Sequence, residues 1–425
     1  MLRALMGPPS RTTLRTRLVE QVRATVGGLP GTYWLLWTGT LVNRLGAFVV
    51  PFLALYLTRE RGFSEEQAGL VAALYGAGAV VSGPLGGTLA DRFGRRTALA
   101  LGLWLGSAGM IFLGFSREPM WIRVAAFTLG IVGEMYRPAV SAAIADVVPP
   151  QDRTRAFGLL YWVVNVGFSI ALPLAGLVSR SGFLLLFLVD ALTTFLYGCI
   201  VWFKFPETLP QRSASNSVLP SLAPFWDKTF LNFWLPTFLM ALIFFQMNVA
   251  LALDLGARGM SPAQFGLALS ANGVLIVLVQ PFVGRFVSHW RRSAVLAGAA
   301  VFTGVGFGLH VLSFNVPLAM MAVVVWTVGE ILNAAVAPSV VTDLAPPALR
   351  GSYQGAFHMS WGLAACVAPV LGSQVLGRFG GITLWSGCLL VGLIAAAWHL
   401  LVADARRRHM EVLRTRHEGV SESVD

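Results

Sequence analysis

Charged residues are scarce in this sequence. Aspartate, glutamate, lysine and arginine together make up 12% of its 425 residues, whereas soluble globular domains carry about 25%. Hydrophobic residues make up 56%, which is more apolar surface than a soluble core can hide. The composition therefore argues against an ordinary soluble protein and predicts a membrane protein.

Cysteine is rare as well. Cys199, Cys366 and Cys388 all lie inside apolar segments, without a second cysteine or a histidine at metal-ligand spacing. This distribution supports neither a disulfide framework nor a metal site. We interpret the three residues as small packing residues within the apolar segments.

Motifs for ATP use and for catalysis are absent from the sequence. It contains no nucleotide-binding loop of the form Gly-x-x-x-x-Gly-Lys-Ser/Thr and no constellation of Ser, His and Asp that would support covalent catalysis. We therefore expect neither an enzyme nor an ATP-driven pump, and we expect no cofactor. An ion gradient, here a proton gradient, is the available source of energy.

Long apolar runs dominate the rest of the chain. Twelve stretches have about the 20 residues needed to cross a bilayer. They lie at 32–57, 67–90, 97–115, 120–147, 156–179, 183–204, 231–255, 264–288, 294–314, 317–343, 351–376 and 381–403. We predict an N-terminal tail at 1–30, a six-helix bundle at 31–204, a connection at 205–230, a second bundle at 231–403 and a C-terminal tail at 404–425.

A weak internal repeat relates the two sets of six spans. Residues recur at a constant offset of 197 positions in three separate blocks, without any gap between them. The matched pairs include Ser64 and Ser261, Gln67 and Gln264, Gly87 and Gly284, Arg95 and Arg292, Asp146 and Asp343, and Arg153 and Arg350. Such a repeat indicates a duplicated membrane unit, the plan by which many transporters build two halves around a central site.

The basic residues indicate the orientation. The formal net charge is +11, and the arginines concentrate in the tails and in alternate connections between spans. Cytoplasmic loops carry this excess in membrane proteins. We predict that both tails are cytoplasmic and that the chain lies in the bacterial inner membrane, with the lipid bilayer rather than nucleic acid as its partner. The N-terminal tail lacks the features of a removable signal peptide.

The connection between the second and third spans has an unusual composition. The segment GGTLADRFGRR, residues 86–96, combines glycines with one acid and three arginines. Glycine allows close approach of helices and tight reversal of the chain. Asp91 near a helix C-terminus is electrostatically unfavourable unless cations meet it. The arginines of the segment supply those cations, and Asp146 at the end of the fourth span offers one of them a second acid.

This segment resembles the signature of the major facilitator superfamily, Gly-x-x-x-Asp-Arg-x-Gly-Arg-Arg. The segments YRPA at 136–139, PPQDR at 149–153 and RGSYQG at 350–355 resemble bacterial drug:proton antiporters of that superfamily, the MdtH-like multidrug-resistance proteins. The resemblance implies an all-α membrane protein with the major facilitator fold, in which twelve transmembrane helices form two pseudo-symmetric six-helix bundles.

The resemblance also implies that the segment acts as a conformational latch between the halves, which breaks when the transporter opens inward. The latch residues are Gly87, Asp91, Arg92, Gly94, Arg95, Arg96 and Asp146. An alternative is that the arginines only enforce topology. In the second half, Ser288 occupies the position that corresponds to Asp91, so we do not expect a symmetric acidic latch.

Ionisable residues inside the spans mark a path for protons, because a charge at mid-bilayer is costly unless it is paired or hydrated. The candidates for proton coupling are Glu134, Arg137, Arg44, Asp190 and Glu330. We predict that Glu134 is the proton-responsive carboxylate and that Arg137 or Arg44 sets its affinity for the proton. A permanent structural ion pair of Glu134 with Arg137 is the alternative. Asp190 faces the cavity or bonds a neighbouring helix.

Aromatic and amide side chains in the spans are candidates for substrate binding. They are Asn43, Tyr136, Trp162, Gln246, Asn248, Asn272, Trp326, Asn333 and Trp361. Each of the aromatic residues could equally pack or face lipid.

These features predict a secondary active transporter that works by alternating access. We expect proton-coupled efflux of lipophilic or amphipathic small molecules by a monomer, with protons and the small-molecule substrate as its ligands. Proton-coupled uptake of a polar nutrient, such as a sugar or a carboxylate, is the alternative. A non-transporting receptor on the same scaffold is a third possibility, although no added sensory domain is visible.

Overall fold

The computed structural model describes residues 25–47, 49–178, 182–209 and 221–421. Within these ranges the regular elements are helices, with short 3-10 turns between some of them. The first half contains α1 Gly31–Leu45, α2 Val49–Glu60, α3 Glu65–Phe93, α4 Arg95–Phe115, α5 Pro119–Glu134, α6 Tyr136–Val147, α7 Arg153–Val178 and α8 Phe183–Lys204.

The second half begins with the short helix α9, Ala223–Trp226. It continues with α10 Lys228–Phe244, α11 Ala250–Ala257, α12 Pro262–Val287, α13 Arg292–Gly308, α14 Val316–Leu344, α15 Arg350–Leu401 and α16 Ala403–Ser421. Eight helical segments in the described residues are, by length and composition, long and apolar enough to cross a membrane.

The helix boundaries differ from the predicted spans at four places. The first predicted span is divided between α1 and α2, and the fourth is divided between α5 and α6 at Met135. The seventh is divided between α10 and α11, with a 3-10 turn at Phe245–Met247 between them. The eleventh and twelfth spans are two helices that follow each other within α15, and the chain turns sharply between them at Gly380, with φ 80° and ψ 170°. Only glycine adopts this backbone conformation readily, so the turn between two spans needs no loop there.

The internal repeat is preserved in the helix starts. Ser64 and Gln67 form a capping box at the start of α3, and Ser261 and Gln264 form the same box at the start of α12. In each box the serine hydroxyl accepts a backbone N–H and the glutamine carbonyl accepts another, which satisfies groups that a helix start leaves free. The duplicated halves therefore begin their second span in the same way.

The repeat is preserved in a second pair of contacts, close to these helix starts. Arg61 donates to the carbonyl oxygen of Gly114 at 3.1 Å, and Arg258 donates to the carbonyl oxygen of Val311 at the same distance. Each pair is related to the other by the offset of 197 residues. Each half also has its own buried clusters of apolar side chains. The chain therefore forms two pseudo-symmetric helical bundles.

The two bundles meet closely at the end of the molecule that carries residues 86–96, which we call the latch end. A Cβ atom added to Gly83 on α3 would lie 2.6 Å from the carbonyl oxygen of Gly355 on α15. Across the same interface, one added to Gly284 on α12 would lie 2.6 Å from the Cα atom of Arg155 on α7. Glycine is required at both positions because the backbones of the two halves touch.

Candidate functional site

Glu330 is a buried carboxylate that connects the two halves. It lies near the middle of α14 and is 6% exposed. The hydroxyl of Tyr161, on α7 of the other half, donates to its Oε1 atom, and Asn272 Nδ2 on α12 donates to Oε2 at 2.6 Å. Asn272 also donates to the hydroxyl of Thr327 at 3.0 Å. Among the described residues, Glu330 takes part in no ion pair.

Glu134 has a different environment, although it lies at nearly the corresponding position of the first half. Its Oε2 atom lies 2.5 Å from Nε of Arg137, and Tyr75 donates a hydrogen bond to Oε1 at 3.2 Å. The side chains of Glu134 and Arg137 are 21% and 38% exposed. The pair lies where α5 gives way to α6, so it is both ion-paired and partly accessible.

Arg44 lies in a separate polar cluster between α1, α6 and α8. It donates to the hydroxyl of Tyr136, which in turn donates to Asn43 Oδ1 at 3.2 Å. Asn43 Nδ2 donates to the hydroxyl of Thr194 at 2.8 Å. Arg44 therefore contacts Tyr136 and the ring of Phe168 rather than the Glu134 carboxylate.

Asp190 belongs to the same cluster and bonds a neighbouring helix. Its Oδ2 atom accepts the backbone N–H of Val49 at 3.1 Å, the first residue of α2, and its side chain is buried. The division of the first span leaves such N–H groups without a partner inside the helix. The carboxylate satisfies one of them, so of the two interpretations of Asp190, the contact with a neighbouring helix describes its place in this structure.

The predicted substrate residues fall into three environments. Asn272, Trp162 and Trp361 lie between helices and are partly exposed, and Asn248 is exposed. Asn43, Tyr136, Gln246 and Asn333 are buried. Trp326 is completely buried in the second bundle, stacked on Phe307 at a ring-centroid distance of 5.4 Å. Trp326 is thus part of the core in this conformation, and the substrate assignments as a set stay a prediction.

Asp91 and Asp146, the two acids of the predicted latch, form one buried network with Arg95 and with Arg350 of the second half. Asp91 accepts the backbone N–H groups of Gly351 and Ser352 at 2.7 and 2.6 Å, at the start of α15 in the other half. Arg95, which is 0% exposed, binds Asp91 at 2.7 Å and Asp146 at 3.0 Å. Arg350 of the second half also binds Asp146, at 2.6 Å. The network therefore joins the two halves at the latch end.

Other members of the predicted latch lie beside this network. Gly87 packs against the backbone of Gly351 in the other half. Gly94 has φ 98° and allows the turn between α3 and α4. Arg92 lies over the ring of Phe93, and Arg96 lies 4.6 Å from the ring centroid of Trp202. These two arginines are therefore placed outside the ion-pair network.

A second network occupies the corresponding place in the second half. Asp343 on α14 binds Arg292 of its own half and Arg153 of the first half, the latter at 2.7 Å. Asp146, Arg95 and Arg350 are related to Asp343, Arg292 and Arg153 by the repeat, with the halves exchanged. The second half therefore has a reciprocal ion-pair network, centred on Asp343 as the counterpart of Asp146. The position that corresponds to Asp91 has no acid, because Ser288 occupies it.

Sequence analysis missed Glu207 in the connection between the halves. Its carboxylate accepts the backbone N–H of Arg95 at 2.7 Å and that of Arg96 at 3.3 Å. These are the first residues of α4, where an acid stabilises the helix dipole and the free N–H groups. No local motif singles out Glu207, whereas the repeat itself contained the signal for Asp343, Arg292, Arg153 and Arg350.

Comparisons with known proteins agree with this architecture. The family model described as Major Facilitator Superfamily matches residues 36–256 and 233–421. The chain is 28% identical over 384 residues to the MFS-type transporter YttB of Bacillus subtilis, which covers 88% of this chain and 95% of YttB.

Two further relatives have more specific names. A Na⁺, Li⁺, K⁺/H⁺ antiporter of Planococcus maritimus is 26% identical over 359 residues, with 76% of this chain and 84% of the antiporter covered. The multidrug resistance protein MdtH of Aeromonas hydrophila is 24% identical over 392 residues, with 90% and 97% covered.

Solved structures show the same fold at low sequence identity. The human organic anion transporter MFSD10 gives a TM-score of 0.73 at 16% identity and covers 87% of this chain and 100% of its own. The proton:xylose symporter XylE gives a TM-score of 0.71 at 15% identity, with 88% and 95% covered. Since the family match extends over both helical bundles, this multi-pass membrane protein belongs to the Major Facilitator Superfamily of transporters.

Proposed function

We propose that the protein is a proton-coupled secondary transporter that exports lipophilic or amphipathic small molecules by alternating access. The two bundles rock about a central site, so that the site opens to one side of the membrane at a time. Protons that enter down their gradient drive the substrate outward.

The observation that carries the proposal is the carboxylate of Glu330. A buried acid is costly as an ion unless cations or several donors stabilise it. Glu330 has two neutral donors, Tyr161 and Asn272, and one of them belongs to the opposite half. Rocking of the halves breaks the contact with Tyr161, so the proton on Glu330 and the conformation are linked.

Glu134 has a supporting role in this proposal. The sequence favoured Glu134 as the proton-responsive acid, but its contact with Arg137 at 2.5 Å supports the alternative of a lasting ion pair. Because the pair is partly exposed, we assign it to the electrostatics of the central site, where a partly exposed acid suits a lipophilic cation. We assign the exchange of the proton to Glu330.

Aromatic packing around the predicted site supports a lipophilic substrate. Trp361 on α15 lies 5.7 Å from the ring centroid of Phe244 and 6.0 Å from that of Phe245, and all three side chains are partly exposed. Aromatic walls with a few polar groups bind amphipathic molecules. The names of the MdtH and antiporter relatives agree with this substrate class and with exchange for protons.

Reconstituted vesicles test the proposal directly. Purified protein is reconstituted with an imposed pH gradient, and movement of the fluorescent cation ethidium and of protons is recorded in each direction. We expect ethidium to move against the proton flux in the wild type and Glu330→Gln to abolish its dependence on the gradient. Glu118→Gln, at an exposed acid before α5, is the matched control and should behave as the wild type.

The opposite results identify the alternatives. Co-transport of radiolabelled xylose or succinate with protons, without ethidium exchange, would establish nutrient uptake instead. If Glu330→Gln retains full proton coupling, the assignment of the proton to this residue is wrong.

A further inference from the structure

The internal repeat reveals an unfilled counterpart of Asp91. In the first half, the carboxylate of Asp91 receives the N–H groups of Gly351 and Ser352, the hydroxyl of Ser352 at 2.6 Å and the guanidinium of Arg95. The corresponding position in the second half is Ser288. Its hydroxyl donates to the carbonyl oxygen of Arg285 in its own helix, so position 288 supplies no carboxylate to the start of α7.

A cavity of about 270 Å³ lies at this position. Its polar lining residues are Gln151, Thr154, Ser288, His289 and Arg292, and no aspartate or glutamate lines it. Asp152, just before α7, is paired with Arg155 at 3.1 Å. One water occupies roughly 30 Å³ in the liquid, so the cavity has room for a group of several heavy atoms.

Two side chains at the cavity have unused hydrogen-bonding capacity. Thr154 is 6% exposed, and its hydroxyl has no hydrogen-bond partner among the described residues. Arg292 donates through one nitrogen, to Asp343, whereas its counterpart Arg95 donates through its Nε, Nη1 and Nη2 atoms. Within the described part of the chain, the remaining N–H groups of Arg292 have no acceptor.

The charge and geometry of the cavity suit an anion. The start of α7, a helix of 26 residues, presents backbone N–H groups and the positive end of the helix dipole. Arg292, which also binds Asp343, adds a guanidinium, and Thr154, Gln151 and Ser288 add neutral polar groups. In the first half the corresponding helix start and Arg95 hold the carboxylate of Asp91, so the second half has kept the helix start and the arginine but lacks the attached anion.

We propose that this cavity binds a phosphate group, supplied by inorganic phosphate or by the headgroup of an anionic lipid, in the place that the Asp91 carboxylate fills in the other half. The bound group completes the second latch and stabilises the conformation in which the latch end is closed. This site is separate from the central site that contains Glu330.

Thermal unfolding of the full chain in detergent tests the site without any transport assay. Inorganic phosphate is titrated against chloride at constant ionic strength. We expect phosphate to raise the midpoint of the wild type by about 2 °C or more. Ser288→Asp supplies the missing carboxylate, so this variant should be at least as stable as the wild type without phosphate and should lose the response.

Two further variants complete the test. Ala294→Asp adds the same charge at an exposed position of α13, two residues from Arg292 but outside the cavity lining, and it should keep the response. Thr154→Val removes the buried hydroxyl and should raise the phosphate concentration at half-maximal effect by about tenfold. If Ser288→Asp does not fold, the phosphate response of Thr154→Val tests the site instead.

The same variants in nanodiscs distinguish the two sources of phosphate. Inorganic phosphate without a specific effect in detergent would leave the lipid headgroup as the ligand. In that case the wild type should be more stable in phosphatidylglycerol discs than in phosphatidylcholine discs, and Ser288→Asp should remove this difference. A wild type that responds to neither ligand overturns the proposal. So does a response that Ser288→Asp and Thr154→Val leave unchanged.

Discussion

Tyr161 and Glu330 form a single hydrogen bond between residues that are far apart in the sequence and lie in different halves. At the scale of the residue, this bond links a buried acid near the middle of α14 to the relative position of the bundles. Glu134 lacks such a link, because its ion-pair partner Arg137 lies on the following turn of the same span. The two acids therefore differ in their partners although the repeat places them almost equivalently.

Removal of the Tyr161 hydroxyl should weaken proton coupling. Tyr161→Phe deletes one of the two donors to Glu330, and hydrogen bonds to charged groups contribute about 1.5 to 3 kcal/mol. We expect the gradient-driven rate in vesicles to fall by about tenfold and its pH profile to change. Tyr33→Phe removes a buried hydroxyl that donates to the Ala156 carbonyl, and it should leave the pH profile unaltered.

Asp190 should act on stability rather than on coupling. Asp190→Ala leaves the backbone N–H of Val49 without this acceptor, and an unsatisfied buried donor costs about 1 to 3 kcal/mol. We expect a lower midpoint of thermal unfolding and a normal dependence of transport on the pH gradient. If Asp190→Ala remains folded but loses the pH dependence of transport, Asp190 takes part in proton coupling and this prediction is wrong.

At the scale of the element, glycines determine how closely the two bundles meet. Gly87 on α3 and Gly284 on α12 contact the other half at positions related by the repeat, against Gly351 and Thr154. A side chain at either position collides with backbone rather than with a flexible side chain. Close contact at the latch end therefore depends on two symmetric pairs of helices, α3 with α15 and α12 with α7.

Enlargement of Gly87 should prevent closure of the latch end. Gly87→Val adds a side chain against the backbone of Gly351, so the halves must separate there, and we expect gradient-driven transport to fall by about tenfold or more. Gly298→Ala on α13 is the control, because a Cβ added at Gly298 meets no atom within 4 Å. It should transport normally, and equal activity of the two variants would contradict the role of this contact.

The sequence predicted the all-α membrane fold and its two related halves, because long apolar runs and the repeat are strong signals. It did not predict that the first, fourth and seventh spans divide, since single polar residues such as Arg44 and Glu134 do not by themselves mark a break in a long apolar stretch. The contact that satisfies Val49 comes from Asp190, far away in the chain. Breaks that depend on such distant partners cannot be found from local periodicity.

At the scale of the whole molecule, each half supplies an arginine to the ion-pair network of the other half. Arg350 of the second half completes the network of Asp146, and Arg153 of the first half completes that of Asp343. The sequence contained both sets of residues, but the offset of 197 alone does not state whether arginine and acid pair within a half or between halves. Only the three-dimensional arrangement shows the exchange.

The two networks should contribute comparably to closure of the latch end. Asp146→Asn leaves Arg350 without its acid and Arg95 with Asp91 alone, and Asp343→Asn leaves Arg153 and Arg292 without theirs, which is strongly unfavourable for buried pairs. We expect each variant to increase labelling of a cysteine introduced at Gly158, at the interface of the halves, and the double variant to increase it further. An unchanged labelling rate in Asp343→Asn would restrict the latch to the first half.

The central claim is that protonation of Glu330 is coupled to the relative position of the two bundles. Double electron–electron resonance measures the distance between spin labels at Lys204 and Arg291, which are exposed residues at the latch end of the two halves. The labels are attached to introduced cysteines in a protein without its native cysteines. The account predicts that the distance distribution shifts with pH in the wild type and that Glu330→Gln shows one distribution at every pH. A pH-dependent shift that persists unchanged in Glu330→Gln would contradict it.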